Sequence, residues 1–139
     1  MARGGAEALA DVPLFAGLSK RHLRNIAKLG EEQEFETGAT LAEEGSPGET
    51  FHVLLEGEAK VTRGGRRLNR LIPWDFFGEI ALIDGGPRTA SVVAETPVKT
   101  LTIDRAKFHK MLEEDTSIGV KMLEELARRL RNNERSLSG

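Results

Sequence analysis

The chain has 139 residues, 39% hydrophobic and 30% charged, and its 20 basic and 22 acidic side chains leave a formal net charge of −2. That is the size and balance of one soluble domain, without the basic excess of a dedicated nucleic-acid binder. No cysteine is present, which excludes disulfides and thiolate metal sites. No run approaches the roughly 18–20 apolar residues of a membrane helix, and no N-terminal apolar stretch has signal-peptide length, so the chain reads as cytoplasmic.

Residues 1–11 are small and weakly patterned, an arm or a short helix ahead of a domain over 12–135, with a tail at 136–139. "GLSKRHLRNIAKL" reads as a helix: Ser19 is placed to cap it, and Leu23, Ile26 and Ala27 fall on one face. From Glu31 to Ile103 the pattern turns to short strands punctuated by glycine. Phe51, Val53 and Leu55 alternate with His52 and Leu54, and Gly64-Gly65 marks a two-residue hairpin. Many short strands with frequent turns predict a sandwich or a closed roll rather than a parallel α/β sheet. Beyond Ile103, Asp104 caps "RAKFHKMLEED", and Thr116 is expected to cap a second helix in which Ile118, Met122, Leu126 and Leu130 recur every four residues.

The stretch "FFGEIALIDGGPRTASV", residues 76–92, carries the chemistry. "GEIALID" predicts a turn and a half of helix ended by Gly85-Gly86, with Arg88 held nearby by the fixed φ of Pro87. Backbone N–H groups at the start of that helix and the arginine fork suit an anion. Glu79 beside an anion needs a task of its own, such as accepting hydrogen bonds from hydroxyls on the same ligand. Anion and hydroxyl together describe a phosphorylated sugar or a nucleotide.

The same stretch resembles the phosphate-binding cassette of the cyclic nucleotide-binding domain family, whose pattern runs F-G-E, A-L, a short variable stretch, P-R, a small or Thr residue, A, then Ser or Thr and Val. "PLFAGLSKRHLRNIAKL" is similar to the family's N-terminal helical segment, "GATLAEEGSPGETFHVLLEGEAKV" to its strand-glycine-strand block, and "LARRLR" to its closing helix. The resemblance implies a mainly β fold with flanking helices, a jelly-roll-like β-roll or double-stranded β-helix with an N-terminal helical segment and C-terminal lid helices. It implies that Glu79 accepts from a ribose 2′-OH, that Arg88 pairs with the exocyclic oxygens of a cyclic phosphate, and that backbone amides near Gly78, Ile80, Ala81 and Thr89 complete the cradle. Thr89 permits cGMP through the guanine amino group; cAMP is the favoured ligand. Two departures from the pattern stand out. Trp74 occupies a position commonly held by glycine, which alters the entry loop or presents an indole near the pocket. The C-terminal helix has no aromatic, so the lid over the base falls to Leu126, Leu130, Arg131 and Asn132.

Other readings are weaker. His52 invites a cupin-like metal site, but position 54 is Leu and no His-x-His pair exists. The "TRGGRR" cluster is a solvated hairpin tip before it is a nucleic-acid contact, and Ser46 has no accompanying base, so no catalytic constellation is found. The expectation is a cyclic-nucleotide sensor without enzymatic activity, metal or cofactor. It would signal by repositioning its C-terminal helices to a separate protein effector, or serve as one domain of a longer product. A homodimer seam along Ile118, Met122 and Leu126 is a second use of the helix whose first use is core and lid packing. A nucleotide-free interaction scaffold is the alternative.

Overall fold

The computed structural model of the chain describes residues 5–138; residues 1–4 of the expected arm and Gly139 of the expected tail lie outside them. Helices α1 (Gly5–Ala10) and α2 (Lys20–Ala27), joined by a 3-10 turn at Pro13–Phe15, precede eight strands. These are β1 (Glu31–Phe35), β2 (Thr40–Ala42), β3 (Thr50–Glu56), β4 (Ala59–Arg63), β5 (Arg66–Leu71), β6 (Phe76–Phe77), β7 (Ser91–Ala94) and β8 (Val98–Asp104). Helix α3 (Glu79–Asp84) interrupts them between β6 and β7, and α4 (Arg105–Glu114) and α5 (Thr116–Ser138) follow.

The strands form two four-stranded antiparallel sheets, ordered β1-β8-β3-β6 and β2-β7-β4-β5. Together they make a mainly β, jelly-roll-like roll with helices packed outside the first sheet. That sheet is covered on both sides, which explains why β3 is buried at four consecutive positions. Phe51 and Val53 of β3, with Leu101 and Ile103 of β8, join the helices in one core that includes Leu14, Phe15, Leu23, Ile26, Leu82, Phe108, Ile118 and Met122. Leu54 and Val98 face the other way and meet Ala42, Ala59, Leu71, Val92 and Ala94 inside the roll. The two-residue period of a strand makes this division.

Local chemistry sets the element ends. Ser19 and His22 form a reciprocal capping box at α2, and Asp104 accepts from Lys107 N at the start of α4. Gly64 and Gly65 take φ of 56° and 79°, as the tight β4–β5 turn demands. The cap expected from Thr116 comes instead from Asp115: α5 already includes Thr116, and the Asp115 carboxylate accepts from Ser117 N at 3.2 Å. Gly5–Ala10 form a short helix, one of the two expectations for this segment, with Ala8 and Leu9 in the core.

Two further expectations are corrected. Ile118 and Met122 are buried in the core, the use expected of them first, which removes them from an intermolecular seam; among the described residues the large exposed apolar side chains of α5 are Val120, Leu123 and Leu130. Trp74 adopts φ 78°, the left-handed conformation a glycine would take, so the loop into β6 is kept. Its side chain packs against the helical core rather than lining the cavity described below. Among the described residues no helix is long and apolar enough to cross a membrane.

Phe51 joins the roll to the helices, with Phe15 at 6.1 Å edge-on and Phe76 at 6.1 Å between ring centroids. Truncating a fully buried phenylalanine at such a junction removes contacts in both layers. Phe51→Ala should lower the unfolding free energy by about 3–5 kcal/mol, read as the midpoint of urea unfolding; a loss below about 1 kcal/mol would show that the two layers do not depend on this ring.

Candidate functional site

Between β6 and β7 the chain makes one short helix and then a return loop. Gly78 takes φ 87° and caps α3 without a side chain, so the first N–H groups of the helix have no side-chain partner. Leu82 N donates to Gly78 O at 3.0 Å, and Gly85 closes the far end by donating to Ala81 O at 2.7 Å. The return loop is stitched to residues 45–48: Gly48 N donates to Gly86 O, Arg88 N to Ser46 O and Gly45 N to Arg88 O, at 2.8–3.0 Å. Helix α4 grips the end of α3, with His109 Nε2 3.0 Å from Leu82 O and Arg105 Nη2 reaching Ile83 O.

These elements enclose an open cavity of about 660 Å³ that includes Phe77, Gly78, Glu79, Ile80, Ala81, Arg88 and Thr89 in its wall. The volume lies within the range of small-molecule sites. All six residues expected from the sequence to hold a ligand are therefore gathered at one place. Leu126, Leu130 and Asn132 of α5 line a neighbouring groove that shares Ile80, whereas Arg131 is exposed and lines neither.

The electrostatics of the wall are unusual. Arg88 Nη2 donates to Thr50 O at 2.6 Å and Thr50 Oγ1 at 3.0 Å, while Nη1 is buried with no hydrogen-bond partner. The guanidinium lies 5.9 Å from the Phe77 ring centroid. Burial lowers the Arg88 pKa, and Glu49 opposes that shift. Glu79 Oε2 is likewise buried without a partner. Burial raises the Glu79 pKa, partly offset by the Arg129 guanidinium and by a hydrogen bond from the Leu14 backbone. A buried donor and a buried acceptor left unmatched in one cavity wall are costly to the fold on their own. Together they match a ligand that offers an anion to one and a hydroxyl to the other.

Three contributors escape the sequence reading. Arg129 of α5 stands near Glu79, and its Nη1 is also buried and unpartnered. Thr50 holds one arm of Arg88, and Arg63 Nε donates to Thr89 O at 2.9 Å, tying the hairpin to the return loop. His52, the residue that suggested a metal site, has both ring nitrogens engaged by threonine hydroxyls. Burial, and secondarily Arg88, push its pKa down to about 3.

A mainly β roll interrupted by a short helix, with an anchored arginine in the return loop, frames a cavity of ligand size. Residues 32–115 match the cyclic nucleotide-binding domain family, and the chain belongs to that family. It is 38% identical over 106 residues to a cAMP-dependent protein kinase regulatory subunit of Colletotrichum orbiculare, covering 75% of this chain and 27% of that protein. It is 31% identical over 137 residues to the CRP-like cAMP-activated global transcriptional regulator of Mycobacterium tuberculosis, covering 95% of this chain and 61% of that one. The chain thus spans about a quarter of the first relative and three-fifths of the second. Among solved structures, the N-terminal domain of a transcriptional regulator from Streptomyces coelicolor is 33% identical, covers 93% of each chain and superposes with a TM-score of 0.83.

Two predictions follow from this geometry. A Cβ on Gly78 would stand 2.4 Å from Arg88 Nη1 and 2.7 Å from Thr50 O. Gly78→Ala should therefore destabilise the fold by more than about 1 kcal/mol and displace the guanidinium; an unchanged Tm would refute the close approach. Separately, unfolding lets His52 titrate near its ordinary value of 6.5. The stability that comes from keeping it neutral is fully present above pH 6.5 and is lost as the pH falls toward 3, with a limiting slope of about 1.4 kcal/mol per pH unit. His52→Gln should flatten that acid limb in urea titrations between pH 4 and 7; parallel limbs would assign the loss to other groups.

Proposed function

We propose that this domain is a cyclic-nucleotide receptor that binds cAMP in preference to cGMP in the cavity beside α3. The observation that carries this reading is the pair of unmatched buried groups, Arg88 Nη1 and Glu79 Oε2, in one cavity wall. Arg88 takes the exocyclic oxygens of the cyclic phosphate as a charge-assisted pair. Glu79 accepts from the ribose 2′-OH, and the amides of Gly78, Ile80, Ala81 and Thr89 surround the phosphate. The names of the fungal and mycobacterial relatives support cAMP as the ligand.

Signalling follows from the position of α5. Arg129 lies near Glu79, and Leu126, Leu130 and Asn132 border the groove beside Ile80. A nucleotide that fills the cavity changes what those residues meet, and it shifts the helix in proportion to its differential affinity for the two arrangements. The domain acts in the cytoplasm without catalysis of its own and passes the change to a protein effector. The exposed Val120, Leu123 and Leu130 give α5 the surface for a homodimer.

Isothermal titration with cAMP and cGMP, on protein freed of copurified nucleotide, tests the reading. Arg88→Ala should cost about 2–5 kcal/mol of binding. Glu79→Ala should cost less and mainly abolish discrimination between cAMP and its 2′-deoxy analogue. No heat with either nucleotide would favour a ligand-free interaction scaffold, and equal affinities would remove the cAMP preference.

A further inference from the structure

A polar run continues from Arg88 away from the cavity and into the roll. Thr50 Oγ1, which accepts from Arg88 Nη2, lies 2.9 Å from His52 Nε2. On the far side of the ring, His52 Nδ1 is 3.1 Å from Thr102 Oγ1 and 3.4 Å from Thr100 Oγ1. The two threonine hydroxyls are 2.8 Å apart, and Thr102 donates to Gln33 Oε1 at 3.0 Å. Strand register assembles the run, since His52 stands opposite Thr102 in β8 and Phe77 in β6, and Leu54 opposite Thr100. His52, Thr100 and Thr102 are all buried, and a buried polar group is tolerated only when its hydrogen bonds are met.

The two ends of the run constrain the bonds within it. A guanidinium only donates, so Thr50 Oγ1 accepts from Arg88 and its own proton is free for His52 Nε2. The Gln33 carbonyl oxygen only accepts, so the Thr102 proton goes there. Thr102 Oγ1 then accepts from His52 Nδ1–H and from the Thr100 hydroxyl. The arrangement that gives every hydroxyl and ring hydrogen an acceptor is a neutral imidazole with its hydrogen on Nδ1. The same ring stacks on Phe77, with centroids 4.7 Å apart and planes 14° from parallel, and Phe77 in turn flanks Arg88.

We infer that Thr50 and His52 are positioning residues for phosphate recognition: the Nδ1–H imidazole keeps the Thr50 hydroxyl turned toward Arg88 Nη2, which leaves Nη1 directed to the ligand. This inference rests on the cavity being a nucleotide phosphate site. It makes the threonine hydroxyls deep in the roll part of the binding machinery, although none of the three residues lines the cavity.

The test combines titration of the full chain with NMR. Thr50→Val should weaken cAMP by about 10- to 100-fold, the loss of a hydrogen bond to a charged group, while Thr50→Ser keeps the hydroxyl and should stay within about 3-fold of the parent. In an Arg88→Lys background Thr50→Val should change affinity by less than about 2-fold, because the group it positions is gone. A long-range ¹H–¹⁵N correlation spectrum at pH 7 should show His52 protonated on Nδ1 alone. Equal losses from Thr50→Val in both backgrounds, equal affinity of the Val and Ser variants, or an Nε2–H or doubly protonated ring would each overturn the inference. If Thr50→Val fails to fold, the Ser variant and the spectrum of the parent decide. A parent that binds neither nucleotide would bring down the receptor reading and this inference with it, whereas a parent that binds cAMP as tightly as Thr50→Val brings down the inference alone.

Discussion

The half-buried guanidinium of Arg88 is the constraint around which the site is arranged. A cation removed from water must be met by oxygen atoms or by a ligand. Here the carbonyl and hydroxyl of Thr50 meet one arm of the fork and leave the other without a partner. Meeting one arm requires β3 to pass directly beneath the return loop. The stitching of residues 45–48 to 86–88 and the absent side chain at Gly78 bring the backbones that close. Glu79 is placed by the same helix start, so the unmatched acceptor and the unmatched donor come as a pair.

The layered fold explains how such a site is kept stable. The sheet containing β3 and β8 has helices on one side and the second sheet on the other, so these two central strands are buried on both faces. The buried positions of the face toward the helices, Phe51, Val53, Leu101 and Ile103, are apolar and joined by phenylalanine contacts. The face toward the roll mixes Leu54 and Val98 with His52, Thr100 and Thr102. Those three polar residues bond to one another and to their neighbours, and they lie on the route from the arginine to the strand edge at Gln33. Rigidity comes from the apolar face and orientation from the polar one.

What could be read from the sequence followed from local chemistry. The Ser19 and Asp104 caps, the Gly64-Gly65 turn and the short helix beginning at Glu79 all depend on residues within a few positions of each other. The spacing of Glu79 and Arg88 around a glycine-proline turn was legible for the same reason, and the two residues do meet in one cavity wall. Long-range register was not legible. Nothing near His52 signals that Thr102, 50 residues away, would face its ring. The apolar positions of α5 divide between core, where Ile118 and Met122 take the packing role expected first, and solvent, because a four-residue step turns 400° on a helix of 3.6 residues per turn. Each step drifts about 40°, and after three the face has rotated by about 120°, so Ile118 is fully buried and Leu130 is 64% exposed. Arg128, Arg129 and Arg131 look alike in sequence, yet the first pairs with Glu125, the second turns toward Glu79 and the third faces solvent.

The grip of α4 on α3 also sets a lever. His109 and Arg105 hold the last carbonyls of the short helix, and Asp115 alone separates α4 from α5. Helix α5 has 23 residues, a length of about 35 Å at 1.5 Å per residue. A tilt of about 10° at its base would carry its tip through roughly 6 Å, more than one helical turn. A displacement at α3 too small to disturb the packed roll would therefore be magnified at the far end of α5.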